Sequence, residues 1–298
     1  MEKKFHKPVL TEQVIQYLNI KQNKTYLDAT FGGGGHSKAI LQKEPTCKVI
    51  ALDWDQKTLE KQKSEFINQF GNRIKILWGN FANLHRIFKK EKIENVDGIL
   101  VDFGTSQYQI ENIPGMSFQK KLPLDMRISQ AHQKITAADI LNKFSEKELS
   151  KIFFELGEEK KSRQIAKKII EFRKKEKFKN TSQLKNLIEN IIPKHQMLHR
   201  KHFIHPATKI FQALRIYVNK ELENIKKFLP QAIEVLNTNG RIVCISFHSL
   251  EDRIVKTFFR ENKNQLKILT PKPITASKAE IQKNPSARTA KLRAAEKT

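Results

Sequence analysis

Cysteine is almost missing from this 298-residue chain. The two that occur, Cys47 and Cys244, stand far apart and without metal-ligand spacing, so neither a disulfide framework nor a zinc site is indicated. Both are expected to pack in the core of a reduced, cytoplasmic protein. Long apolar runs are missing too, and with them any candidate membrane span. The opening MEKKFHKPVLTEQ lacks the apolar block of a signal peptide and the Ser/Arg-rich, acid-poor character of a transit peptide. Neither a membrane nor a metal is an expected partner. Acidic residues are the third scarcity: 31 Asp+Glu face 56 Lys+Arg, a formal net charge of +25. That imbalance attracts polyanions and makes nucleic acid the leading partner class, although lysine-rich composition also serves solubility; it bears on partners and not on fold.

The length suffices for one large α/β core with an insertion. In the first third, strand-like TYLDAT, KVIALD, IKILWG and DGILVD alternate with amphipathic HSKAILQKE and QKTLEKQKSEFINQF, the rhythm of successive βαβ units on a parallel sheet. After Asp102 the rhythm stops. Ser145 and Glu148 form a capping box before an apolar-periodic run, and further helices are predicted in KKSRQIAKKIIEFRKK and in TSQLKNLIENIIP, which stops at Pro193. Residues 106–203 therefore read as an inserted helical subdomain, with 1–105 and 204–298 as the core. From Pro206 one long helix is expected through KIFQALRIYVNKELENI, interrupted at Pro230. Asn239 and Gly240 mark a turn before the buried strand RIVCISF, a helix follows in LEDRIVKTFFREN, and LKILTPK and AKLRAAE are candidates for two final edge strands.

Four glycines, Gly32 to Gly35, follow the strand in LDATFGGGGHS and open a helix, where backbone N–H groups can approach a ligand closely. A P-loop is excluded because no Gly-Lys-Ser/Thr follows, and the dinucleotide spacing fails at Ser37. A nucleoside ligand without a phosphate fits better, and S-adenosylmethionine is one: loop N–H groups suit its carboxylate, and Asp28 or Asp102 suits its sulfonium. A packing turn would explain the glycines equally well. Asp53 at the end of the second strand, with Asp55 as the nearby alternative, can accept both ribose hydroxyls. Phe81 offers an apolar wall and Asn80 a polar neighbour for a base. Asp102 ends the fourth strand, where strand order should reverse and a crevice open. His248 ends the fifth strand and either lines the same cleft or serves as a structural hydrogen-bonder, while Glu251 and Asp252 suit a helix amino terminus. Lys160, Lys161, Arg163, Lys167, Lys168, Arg173, Lys174 and Lys175 could form a face that tracks phosphates, or a solvated helix face diluted by Glu158, Glu159 and Glu171.

Taken together, HKPVLTEQV, DATFGGGGHS, VDGILVDFGTS, PLDMR, HPATKIFQALRIYVNKEL, GRIVCISFHSLEDRIVKTFF and NPSARTAKLR span nearly the whole chain, and in order and approximate spacing they resemble the bacterial 16S rRNA cytosine-N4 methyltransferases. The resemblance implies a class I S-adenosylmethionine-dependent methyltransferase fold, a Rossmann-like doubly wound sheet with an inserted helical subdomain. It also implies methylation of the exocyclic N4 amine of a decoding-region cytidine in 16S rRNA, within the small subunit. Carried over residue by residue, it assigns cofactor contacts to Gly34, Gly35, His36, Asp53, Phe81, Asp102 and Gln109. The chain departs from the family at Phe103, Thr105, Ser106 and Gln107, where Asp-Leu-Gly and two serines are usual, and at Met116 and Lys209.

In-line transfer from a sulfonium requires alignment and no cysteine nucleophile. Asp102, Ser106 or a backbone carbonyl is expected to orient the cytosine amine, whose lone pair is delocalised into the ring. The base must be unpaired or flipped to reach the cleft. Two rival classes remain: a non-enzymatic RNA-binding or ribosome-assembly factor on this scaffold, and a nicotinamide oxidoreductase, which the failed glycine spacing disfavours.

Overall fold

The computed structural model describes residues 8–105, 107–192 and 205–298. Eight strands, β1 (Thr25–Asp28), β2 (Lys48–Asp53), β3 (Ile74–Trp78), β4 (Val96–Asp102), β5 (Leu236–Ser246), β6 (Leu266–Ile268), β7 (Ile274–Thr275) and β8 (Lys291–Lys297), form one sheet. Its order is β3-β2-β1-β4-β5-β8-β6, with β7 paired to β8. β1 to β5 run parallel, and β8 runs antiparallel to both β5 and β6. This α/β doubly wound sheet is the class I architecture that the resemblance implies. The helices are α1 (Thr11–Leu18), α2 (Gly35–Lys43), α3 (Gln56–Phe70), α4 (Leu84–Glu91), α5 (Gln107–Asn112), α6 (Ala137–Lys143), α7 (Glu146–Glu155), α8 (Ser162–Lys175), α9 (Thr181–Ile191), α10 (Ala207–Asn219), α11 (Glu221–Glu234), α12 (Ser249–Glu261) and α13 (Lys278–Lys283).

Continuous apolar strands follow from burial on both faces. Along β2, Val49 and Ala51 join one core while Ile50 and Leu52 join the other, and Val243/Ile245 and Ile242/Cys244 of β5 alternate in the same way. Val14, Ile40, Leu41 and Phe66, from α1 to α3, cover the first face. Leu84 and Phe88 of α4, Phe228 and Leu229 of α11, and Val255 and Phe259 of α12 cover the second. Residues 107–221 form a separate compact unit whose own core includes Phe153, Ile165, Phe178, Leu184 and Leu214. α10 packs there against α6, α7 and α9, so the helix placed with the sheet at the sequence level completes the helical unit instead.

Three other expectations change. The long helix after Pro206 breaks at Lys220, which adopts φ 52°, and Pro230 lies inside α11 rather than ending it. Pro230 is exposed, so the carbonyl that loses its N–H partner belongs to Lys226 on the solvent side. The Asn239–Gly240 turn signal sits within β5, where an irregularity in the pairing with β4 between Val96 and Gly98 absorbs the left-handed Asn239. β8 is no edge strand, because it lies between β5 and β6. The capping box is present: Glu148 N–H donates to Ser145 Oγ, and Ser145 N–H to Glu148 Oε2. Pro193 falls outside the described residues.

Candidate active site

Strand order reverses between β1 and β4, which pair side by side with Asp28 opposite Leu100. In an open α/β sheet, a crevice forms beyond the carboxyl ends of strands at such a point. The glycine loop leaves β1 there and turns into α2. Gly32 (φ 50°) and Gly34 (φ 75°) take left-handed conformations that strain residues with a side chain. Gly34 is also fixed by packing: a Cβ would stand 2.2 Å from the Phe66 ring and 2.9 Å from Phe31. At Gly35 the Pro8 ring lies 2.8 Å from the corresponding point. The packing explanation therefore holds at Gly34 and Gly35. Gly34 and Gly35 let the loop pack, while a Cβ on Gly32 would meet nothing closer than the Thr30 carbonyl at 4.0 Å.

Acids anchor the loop from both sides. Asp53 Oδ2 accepts the Gly32 N–H at 2.7 Å, and its Oδ1 accepts that of Asp55 at 2.9 Å. Burial pushes the Asp53 carboxyl up to about 6, partly opposed by those two N–H bonds. The Asp55 carboxylate caps α3, accepting the N–H and hydroxyl of Thr58. Asp28 is buried beneath the loop and accepts from Ser37 Oγ at 2.7 Å and Thr30 N–H at 3.2 Å. Burial raises its carboxyl too, against the pull of His36 and of those hydrogen bonds. Asp102, at the end of β4, is only partly buried; its N–H donates to Thr30 Oγ1 and its Oδ1 accepts from Gly104 N–H.

His36, in the first turn of α2, is 7 % exposed. Among the described residues neither ring nitrogen has a hydrogen-bond partner, and Nε2 stands 3.7 Å from Asp102 Oδ2. Phe81, beyond β3, packs its ring against Phe228 and Phe103, centroids 5.2 and 6.0 Å away, while Asn80 turns its amide oxygen to the Ala82 N–H. The fold thus gathers Gly34, Gly35, His36, Asp53, Phe81 and Asp102 at the carboxyl ends of β1 to β4. Gln109 lies on α5 of the helical unit and is buried. Ser106 lies outside the described residues. His248 Nε2 stands 3.1 Å from Glu251 Oε1, and Glu251 also accepts the Phe247 N–H. Thr30 and Ser37, which hold the two acids, were not singled out from sequence; their signal is only the short spacing around Asp28 in DATFGGGGHS.

In the helical unit, Arg163, Lys167, Lys174 and Lys175 are exposed on α8. Lys168 pairs with Glu171, and Arg173 turns to the Leu141 and Phe144 carbonyls, so the latter is a structural cation and leaves the phosphate-tracking set.

The chain matches the model of the MraW methylase family over residues 3–298. A ribosomal RNA small subunit methyltransferase H of Carboxydothermus hydrogenoformans is 43% identical to it over 310 residues, covering 98% of this chain and 97% of its own. Proteins of the same name from Thermotoga neapolitana and Persephonella marina are 44% and 43% identical. They cover 98% of this chain in both cases, and 96% and 99% of their own lengths.

Proposed function

The chain belongs to the MraW methylase family, and from that premise we propose that it is an S-adenosylmethionine-dependent methyltransferase of small-subunit (16S) ribosomal RNA, acting on the exocyclic N4 amine of a decoding-region cytidine. The observation that carries the site assignment is that two strand-end carboxylates flank one glycine loop, Asp53 bonded to Gly32 within it and Asp102 beside Thr30 and His36. The residues suit an adenosyl sulfonium: His36 keeps two buried nitrogens unpartnered, space lies open over Gly32, and acids flank the loop. Asp53 would take the ribose hydroxyls, Phe81 the base, and Gly34, Gly35, His36 and Gln109 further cofactor contacts. When bound, S-adenosylmethionine supplies a methyl group on a sulfonium that is its own leaving group.

The protein's part is then alignment and proton handling. Asp102 Oδ1 accepts the Gly104 N–H, which orients the carboxylate, while Oδ2 stands 3.7 Å from His36 Nε2. So oriented, it would accept an N–H of the cytosine amine, aim the nitrogen lone pair at the methyl group, and take the proton the amine sheds as the N–C bond forms and the C–S pair leaves on sulfur; Ser106 is the second candidate acceptor. Cysteine chemistry supports an exocyclic nitrogen over a ring carbon activated by thiolate addition. Cys47 and Cys244 are both buried, and burial drives both thiols upward, Cys244 far above the ordinary range. The site therefore offers no thiolate nucleophile.

Incubating the protein with small-subunit RNA and labelled cofactor, then resolving the nucleosides by mass spectrometry, should yield N4-methylcytidine. Label on another nucleoside or another atom would overturn the target, and RNA binding without label would favour an assembly factor. Asp102→Ala should abolish transfer while leaving the circular dichroism spectrum intact. Retained turnover in that variant would remove Asp102 from the mechanism.

A further inference from the structure

At the outer edge of the core sheet, α12 and β6 enclose a cavity of about 440 Å³. Phe259, Leu266 and Thr270 line it and are buried. Three cations line it as well: Lys256 and Arg260, one turn apart on α12, and Lys263 just past the helix end. The four-residue spacing places Lys256 and Arg260 on one face of α12, and Lys263 reaches the cavity from the turn that follows. A fourth, Arg293 of β8, stands in the wall, 6 % exposed, its guanidinium held by Asp252 through bonds of 2.6 and 3.1 Å. Among the described residues, Lys256, Arg260 and Lys263 form no ion pair.

Compensation of the helix dipole accounts for Arg260, in the last turn, but neither for Lys256 a turn earlier nor for Lys263 beyond the end. An ordinary solvated face spreads its cations into water. These converge on a concave site with apolar walls, where attraction for an anion is stronger. The site is also remote from the glycine loop: β6 lies four strands from β1, about 19 Å away at the usual interstrand spacing. Among the described residues no exposed aromatic lines it for base stacking, so the chemistry it offers is phosphate recognition without sequence preference.

We propose that this cavity binds backbone phosphates of the RNA substrate, gripping the strand away from the nucleotide held in the crevice. The proposal rests on the RNA methyltransferase reading for the identity of the polyanion. The test compares wild type with an Arg260→Ala/Lys263→Ala double variant and, as a control, Lys57→Ala/Lys63→Ala on α3. Binding of a small-subunit RNA fragment is followed by anisotropy across a salt series. Loss of two phosphate contacts should weaken RNA binding by roughly tenfold or more and lower the slope of log K against log salt by about 1.4–1.8. Cofactor affinity by calorimetry should be unchanged, and the control should keep the wild-type slope. A slope equal to wild type, or an equal loss in the control, would overturn the site. So would a variant that loses only pyrophosphate binding, which would mark a pocket for small anions. Because RNA binding is read without methyl transfer, a wild type that grips RNA here yet methylates nothing removes the methyltransferase reading and leaves this one standing.

Discussion

Burial lifts the Asp53 carboxyl to about 6 even though each of its oxygens accepts a backbone N–H. An unfolded aspartate titrates near 3.9. Between those values the folded chain holds the proton more tightly than the unfolded one, so ionising Asp53 works against folding as pH rises through that window. Ligand binding has the opposite sign. Ribose hydroxyls donate best to the ionised carboxylate, so cofactor affinity should rise between pH 5 and pH 7 and level off above. Asp53→Asn should flatten that rise and weaken binding about 10- to 100-fold, the worth of hydrogen bonds to a charged group. Calorimetry at several pH values checks both, and a wild-type affinity flat across this range would detach Asp53 from the cofactor. At this scale the sequence was informative wherever an apolar strand ended in an acid, as at Asp28, Asp53 and Asp102. It was silent on Thr30 and Ser37, whose hydroxyls matter only once folding brings Asp102 of β4 to Thr30 and packs Ser37 of α2 over Asp28.

Among the elements, the loop from β1 to α2 is the most tightly determined. Gly34→Ala combines a left-handed conformation with a Cβ placed 2.2 Å from Phe66. Destabilisation of about 2–4 kcal/mol is expected from strain plus overpacking. Thermal unfolding reads it, and a midpoint within a degree of wild type would refute the packing role. Ser145→Ala, which removes the oxygen that caps α7, should lower stability by about 1 kcal/mol in the same assay. Helices α7 and α9 were readable because capping residues and 3.6-residue periodicity agree locally, and α8, which has no side-chain cap, was readable from periodicity alone. The break at Lys220 and the continuation through Pro230 were not, because a lone proline at an exposed position forfeits one hydrogen bond while Ile225, Phe228, Leu229 and Ile233 keep α11 on the sheet.

Over the whole molecule, the excess of lysine and arginine runs through both the sheet-containing unit and residues 107–221. Binding to RNA should therefore be strongly salt-dependent, with affinity falling about a thousandfold or more between 50 and 200 mM salt if six or more phosphates are contacted. A salt-insensitive affinity would show that the charge serves solubility alone. Strand types were legible from the sequence, but strand order was not: nothing local distinguishes an edge strand from β8, whose neighbours on both sides are set by pairings distant in the chain.

That position of β8 governs the order in which the sheet can be assembled. On a chain emerging from its amino end, β5 is made with one flank bare, and β6 appears with no strand to pair with until β8 follows. For that interval the nascent core carries an open, largely apolar edge, the kind that recruits other chains. The seven residues Lys291–Lys297 remove it by filling the gap from both sides at once, so a ribosome that stalls before them would release a sheet built for aggregation rather than a slightly shortened enzyme.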